Sequence, residues 1–187
     1  QDRRTAARCA ALADRAAWIR ARTGLETDPY FSATKLEWLL HEGGVRDEVG
    51  ARSLANGDVC AGTIDSWIIA QLTGGAVHAT DPTNASRTML YDIDRGAWSD
   101  ELCALFGVPA AVLPEVRPSA GDFGRTRADL FGRALPITGV AGDQQAALFG
   151  QGCWNAGEGK NTYGTGAFLL LNTGSKRAEA GGGLLVT

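Results

Sequence analysis

Asp143 lies in Gly139-Val140-Ala141-Gly142-Asp143-Gln144-Gln145, where a run of small and β-branched residues ends in a glycine and a carboxylate just before a helical pattern. A carboxylate at such a junction meets unpaired backbone N–H groups and the positive end of the helix dipole. Two readings of Asp143 are open. It can be a plain N-cap, or a reactive carboxylate at the carboxyl end of a strand, where open α/β sheets hold their ligands. In Asn161-Thr162-Tyr163-Gly164-Thr165-Gly166, two glycines flank a hydroxyl between two strand patterns. Such a turn can aim several N–H groups at one point and cradle a phosphate. It can equally be an ordinary hairpin that uses glycine for positive φ.

Other chemistries find less support. The chain has no G-x-x-x-x-G-K-[ST], no G-x-G-x-x-G and no G-x-S-x-G, so phosphate-loop, dinucleotide and serine-hydrolase readings lack their signatures. His41 and His78 are the only histidines, and Cys9, Cys60, Cys103 and Cys153 are widely spaced, which argues against a zinc site. The cysteines read as four reduced, mostly buried thiols of a cytoplasmic protein. Asp28-Pro29-Tyr30 presents a phenol beside a rigid turn, where it can face a ligand or simply pack. Thr83 to Arg87 reads as a polar loop ordered by side-chain to backbone bonds, a structural role. The five tryptophans are dispersed, and core packing is the default for each.

The elements that must position these residues alternate between the two periodicities. A helical pattern over 3–22 stops at Gly24, and Thr34 with Glu37 reads as a capping box for a helix ended by Gly43-Gly44. A third helix runs from Gly62-Thr63 to Gly74-Gly75. Short strands are expected over 77–80 and 88–93, a helix capped by Ser99 up to Gly107, and a short helix with loops over 109–118. A strand over 136–141, a helix over 144–149 and a hairpin of 161–163 with 167–171 complete the pattern. This alternation argues an α/β fold. The 187 residues carry 18 Lys+Arg against 21 Asp+Glu, which argues against nucleic-acid or membrane-surface binding. No apolar run reaches membrane-spanning length. Glycine supplies 25 residues, near twice the usual share of about 7%, consistent with many tight turns. With no initiator Met and a start inside a helical pattern, the chain is expected to be an internal piece of something longer.

Several segments together carry a more specific signal: QDRRTA, TGLETDPYFSATKLEWLL, GTIDSWIIAQLTGG, VHATDPTNASRTMLYDI, LPEVRPS, ITGVAGDQQAALFGQ and GKNTYGTGAFLLLNTG. They resemble the FGGY carbohydrate kinases over essentially the whole chain, and GDQQAALFG with TNASRTML points to the branch that phosphorylates glycerol. The resemblance implies an actin-like, ribonuclease-H-like two-domain sugar kinase. Residues 1–150 would be the later part of its N-terminal domain, on the substrate side. Residues 151–187 would be the junction and opening β-hairpin of its C-terminal domain. It implies Asp143 as the catalytic base, Tyr30, Asp143 and Gln144 as contacts to glycerol, and Gly164, Thr165 and Gly166 as contacts to the ATP phosphates. ATP and Mg²⁺ are implied as cofactors, with no metal ligand within these residues. A cytoplasmic enzyme, homo-oligomeric when full length, is also implied. Ala33 stands where the family commonly has Gly. The family's Asp-x-Gly-Thr phosphate loop, its Arg-Glu glycerol clamp and its adenine site have no counterpart in these residues. The chain alone is therefore expected to be inactive as a kinase and to expose apolar surface. The alternatives are another FGGY sugar or polyol kinase, or a truncated module used for protein contacts.

Overall fold

The computed structural model describes residues 2–164, 166–179 and 182–187. The first helical pattern is not one rod. It divides into α1 (Ala6–Ala11) and α2 (Ala16–Thr23) around a 3-10 turn, Ala13–Arg15. The break begins at Leu12, whose backbone leaves helical geometry (φ −96°, ψ 13°). The Arg15 N–H then bonds back only three residues, to Leu12, the tighter pattern of a 3-10 turn. α2 ends where expected, at Gly24 in the left-handed conformation (φ 72°). A side chain there would also collide with the Val186 carbonyl, only 2.3 Å from an ideal Cβ.

Helix α3 (Ala33–Leu40) forms without the expected capping box. Thr34 is inside the helix and its hydroxyl meets that of Thr5 at 2.8 Å, while Glu37 pairs with Arg8 at 2.9 Å. Long-range partners thus take both side chains that the local motif would have used. α4 (Val45–Asn56) was not expected. Its sequence is polar, only Leu54 is buried, and Gly50 kinks it (φ 80°). The Gly43-Gly44 pair that reads as a stop also starts this helix, with Gly44 as its N-cap.

α5 (Ile64–Thr73) matches its pattern and closes on Gly74. After it, β1 (Ala79–Thr80) feeds directly into the one-turn helix α6 (Pro82–Ala85), capped by Asp81. β2 (Tyr91–Asp92) pairs antiparallel with β3 (Ala97–Trp98), and Ser99 caps α7 (Asp100–Leu105) as its sequence predicts. A 3-10 turn (Ala110–Val112) leads to β4 (Glu115–Val116), which runs parallel to β1. α8 (Ala128–Phe131) and α9 (Asp143–Gly150) follow, and β5 (Gly159–Tyr163) and β6 (Ala167–Leu171) form the expected hairpin.

The strand expected over 136–141 is only partly realised. Its backbone bonds to 119–126, yet only the isolated bridges Ala120–Gly139 and Arg125–Pro136 form. Pro136 has no N–H to give, and Gly124 turns its partner segment (φ 88°), so a continuous ladder cannot build.

Two apolar clusters fill the interior. The larger joins α2, α3 and α7 through Ile19, Leu40, Leu90, Leu102 and Phe106; the smaller sets Ile69 of α5 and Ala79 of β1 against Phe123. The C-terminal residues return to the first half. Arg177 donates to the Ala21 carbonyl at 2.7 Å and the Val186 N–H to Gly24 at 3.0 Å. Trp18 and Trp98 pack against the larger cluster, but Trp67 and Trp154 are more than half exposed. The expected apolar surface is present at Phe149, Trp154, Tyr163 and Leu169.

The cysteines are less buried than their composition suggests. All four are free, but only Cys9 and Cys103 are buried, and Cys60 is exposed. Burial pushes the Cys103 thiol up to about 11, leaving about 0.1% thiolate at pH 8. An aromatic disulfide reagent at that pH should therefore modify Cys60 first and leave Cys103 intact until unfolding. Equal rates at the two thiols would contradict the packing. A second expectation concerns Asp81, which is fully buried. Its carboxylate accepts from Thr83 N (3.2 Å) and Oγ1 (2.7 Å), Asn84 N (3.0 Å) and Nδ2 (2.8 Å), and Ser119 Oγ (2.6 Å). Asp81→Ala strands several buried donors and should cost about 3–5 kcal/mol in urea unfolding. A cost below about 1 kcal/mol would mean that water replaces the carboxylate readily.

Candidate functional site

The site is assembled outward from Asp81. Its cap sets the Thr83 hydroxyl, which donates to Asp81 and accepts the Gly142 N–H at 2.7 Å. One hydroxyl therefore joins the end of β1 to the residue that precedes Asp143, 59 positions later in the chain. Gly142 is the N-cap of α9, and a Cβ there would sit 2.9 Å from Gln145 Oε1 and 3.5 Å from Thr83 Oγ1. A larger residue there would have to displace the Gln145 side chain.

Asp143 is thus the first residue of α9 and not its cap. Its side chain is exposed. Oδ1 accepts the Gln144 N–H at 2.9 Å and Oδ2 the Gln144 side-chain amide at 3.1 Å. The carboxylate is tethered on one flank and open on the other, at the positive end of a helix.

Tyr30 is anchored through its backbone: its N–H donates to Asp28 at 2.7 Å and its carbonyl accepts from Lys35 at 3.0 Å. The phenol is 53% exposed, and its ring stands edge-on to Phe31 at 5.3 Å. Over the Phe31 ring, at 5.0 Å, lies the half-buried guanidinium of Arg87. Burial lowers the proton affinity of Arg87, while the nearby Tyr30 and Asp143 groups act in the opposite direction. Arg87 thus stacks on the ring that Tyr30 meets edge-on, on the turn before α3, while Asp143 stands at the start of α9. The loop expected to be merely structural does order itself through Asp81, but it also delivers this cation.

Gln144 makes a second connection that the sequence reading missed. Its Oε1 accepts a hydrogen bond from Lys160 of β5, whose ammonium also donates to Thr162 Oγ1 at 2.8 Å. Lys160 is 3% exposed and forms no ion pair among the described residues. One signal was available: the chain has fifteen arginines but only three lysines, Lys35, Lys160 and Lys176, and one of these immediately precedes the strand pattern of 161–163.

The glycine turn closes the β5–β6 hairpin. The Gly164 N–H donates to the Gly166 carbonyl at 2.9 Å, so that donor is already used in closing the turn. A Cβ on Gly166 would lie 2.9 Å from the Phe168 ring, so a larger residue there would have to push that ring aside. Thr165 lies outside the described residues. From Lys160 the turn is four residues along the strand, about 13 Å. No group of three or more His, Cys, Asp or Glu side chains converges on one point among the described residues. No helix among them is long and apolar enough to cross a membrane.

Comparison with known proteins gives this arrangement a family. Residues 1–150 match the N-terminal domain of the FGGY family of carbohydrate kinases. Over its whole length the chain is 58% identical to a glycerol kinase of Thermus brockianus and 56% identical to one of Roseobacter denitrificans, covering 37% of each. The chain spans little more than a third of the length of these curated relatives. Among solved structures, a Plasmodium falciparum glycerol kinase with ADP superposes with a TM-score of 0.89 at 36% identity. That match covers 98% of this chain and 36% of the other. A xylulose kinase of Rhodospirillum rubrum shares the fold at a TM-score of 0.71 and 23% identity, over 89% of this chain and 33% of its own. On the match over residues 1–150, the chain belongs to the FGGY family of carbohydrate kinases.

Proposed function

We propose that the full-length protein containing these residues transfers the γ-phosphoryl group of ATP to glycerol, giving glycerol 3-phosphate, with Asp143 as the base. The observation that carries this reading is the open Asp143 carboxylate at the start of α9, within a chain 58% identical throughout to a glycerol kinase. Asp143 takes the proton of the attacking hydroxyl. The glycerol oxygen bonds to the γ-phosphorus, and the bond to the β–γ bridging oxygen breaks, releasing ADP. Little more is asked of a protein in phosphoryl transfer than alignment and charge stabilisation.

The other residues fit this division of labour. Glycerol offers little apolar area, so it must be recognised by directed polar groups. The Gln144 amide and the exposed Tyr30 phenol supply such groups, and Arg87, stacked on the Phe31 ring that Tyr30 meets edge-on, adds a positive charge. The hairpin turn at Gly164, Thr165 and Gly166 contacts nucleotide phosphates in this reading. Mg²⁺ arrives with those phosphates, which it binds more readily than a dedicated protein cage, and neutralises their charge. Residues 151–187 begin the second domain, and the complete enzyme is a cytoplasmic homo-oligomer.

A coupled assay of the full-length protein with glycerol, ribitol, xylulose and gluconate decides the substrate. Glycerol should give the highest kcat/KM. A preference for a pentitol or pentulose would move the protein to another branch of the family, and no turnover on any of them would favour a role in protein contacts. Asp143→Asn should lower kcat by about 10²-fold or more, as expected for loss of a positioned base. An unchanged kcat would remove Asp143 from that role.

A further inference from the structure

We infer that Lys160 is a positioning residue, which fixes the Gln144 amide and through it the Asp143 carboxylate in a single orientation; this deepens the phosphotransferase reading and rests on it. The argument begins with donor and acceptor types. An ammonium has three donors and no acceptor. The Gln144 group that faces Lys160 must therefore be Oε1, as the structure shows. The amide is planar, so Nε2 is then turned toward Asp143 Oδ2, 3.1 Å away. All hydrogen bonds in this chain point one way, from Lys160 to Gln144 to Asp143, and bonds so aligned polarise one another. Without Lys160 the amide can rotate and set its oxygen against the carboxylate, acceptor against acceptor. Thr162, two residues further along the same face of β5, holds the ammonium from a second side at 2.8 Å.

Stability does not explain the lysine. It is 3% exposed, its acceptors Gln144 Oε1 and Thr162 Oγ1 are both neutral, and it forms no ion pair among the described residues. An ammonium buried without a counter-charge is costly, and an apolar side chain of similar size serves a core position at least as well. What an apolar side chain cannot do is orient Gln144. The contact also ties α9, which carries the carboxylate, to the strand that leads into the glycine turn. Any shift of one relative to the other changes how Asp143 is presented.

The test uses the full-length protein with Lys160→Met, Gln144→Met and the double variant. Lys160→Met should lower kcat by about 10- to 100-fold, the scale of a small misplacement of a reacting group. Its Tm should be unchanged or higher, because a buried charge has been removed. The double variant should be no slower than Gln144→Met, since Lys160 acts through that amide. A kcat within about two-fold of wild type, or losses that multiply in the double variant, would overturn the inference. If Lys160→Met does not fold, Lys160→Leu is read in its place, while Lys160→Gln, which keeps a neutral donor for Gln144 Oε1, should retain most of the kcat and of the amide protection. A second measurement is independent of turnover. With selective 15N-Gln labelling, the Gln144 side-chain amide should be protected from exchange in wild type and lose that protection in Lys160→Met. An unchanged amide overturns the inference, whereas a wild-type protein that phosphorylates no polyol would overturn the functional reading and leave the amide result standing.

Discussion

The buried carboxylate of Asp81 takes five hydrogen bonds from Thr83, Asn84 and Ser119, and most of the site depends on where it holds them. It is a helix cap, a clamp on the 119–126 segment and the anchor of the Thr83 hydroxyl. Thr83 then receives the N–H of Gly142, the last residue before the helix that carries Asp143. A fully buried anion is tolerable only when its lone pairs are filled in this way. The same interaction that satisfies Asp81 therefore fixes the start of α9 relative to β1.

Around this anchor the side chains fall into two flanks. On one, Arg87 stacks over Phe31, whose ring meets Tyr30 edge-on; on the other, Gln144 and Lys160 relate Asp143 to the hairpin. Neither flank makes an ion pair with Asp143 among the described residues. A carboxylate locked to a guanidinium would be a weaker proton acceptor and less free to meet a hydroxyl. Charge nearby without direct pairing suits a group that must hold its position and still accept a proton.

Much of this was legible in the sequence because the determinants are local. Gly24 and Gly74 stop helices, Ser99 caps one, and the alternation on either side of Gly164 and Gly166 makes a hairpin. The parts that were not legible depend on partners far away in the chain. Thr34 and Glu37 leave their capping box for Thr5 and Arg8. The 136–141 strand loses its ladder to its own Pro136 and to Gly124 of a segment it meets only after folding. Asp143 and Gln144 stood out because a glycine-carboxylate step after small residues is itself a pattern. Arg87 and Lys160 did not, since an arginine in a polar loop and a lysine in a strand look ordinary until burial and neighbours are known. Resemblance to a family supplied the proposal that periodicity could not, a chemistry shared by residues 30, 143 and 164–166.

The most direct measurement is a crystal structure of the full-length protein with glycerol bound. The account predicts an Asp143 carboxylate oxygen about 2.6–3.2 Å from a glycerol hydroxyl, with the Thr83 to Gly142 hydrogen bond intact and the Gln144 amide still held by Lys160. Glycerol bound away from Asp143, or an α9 that reaches it only after the bond to Thr83 has broken, would contradict the claim that the Asp81 anchor presents the base.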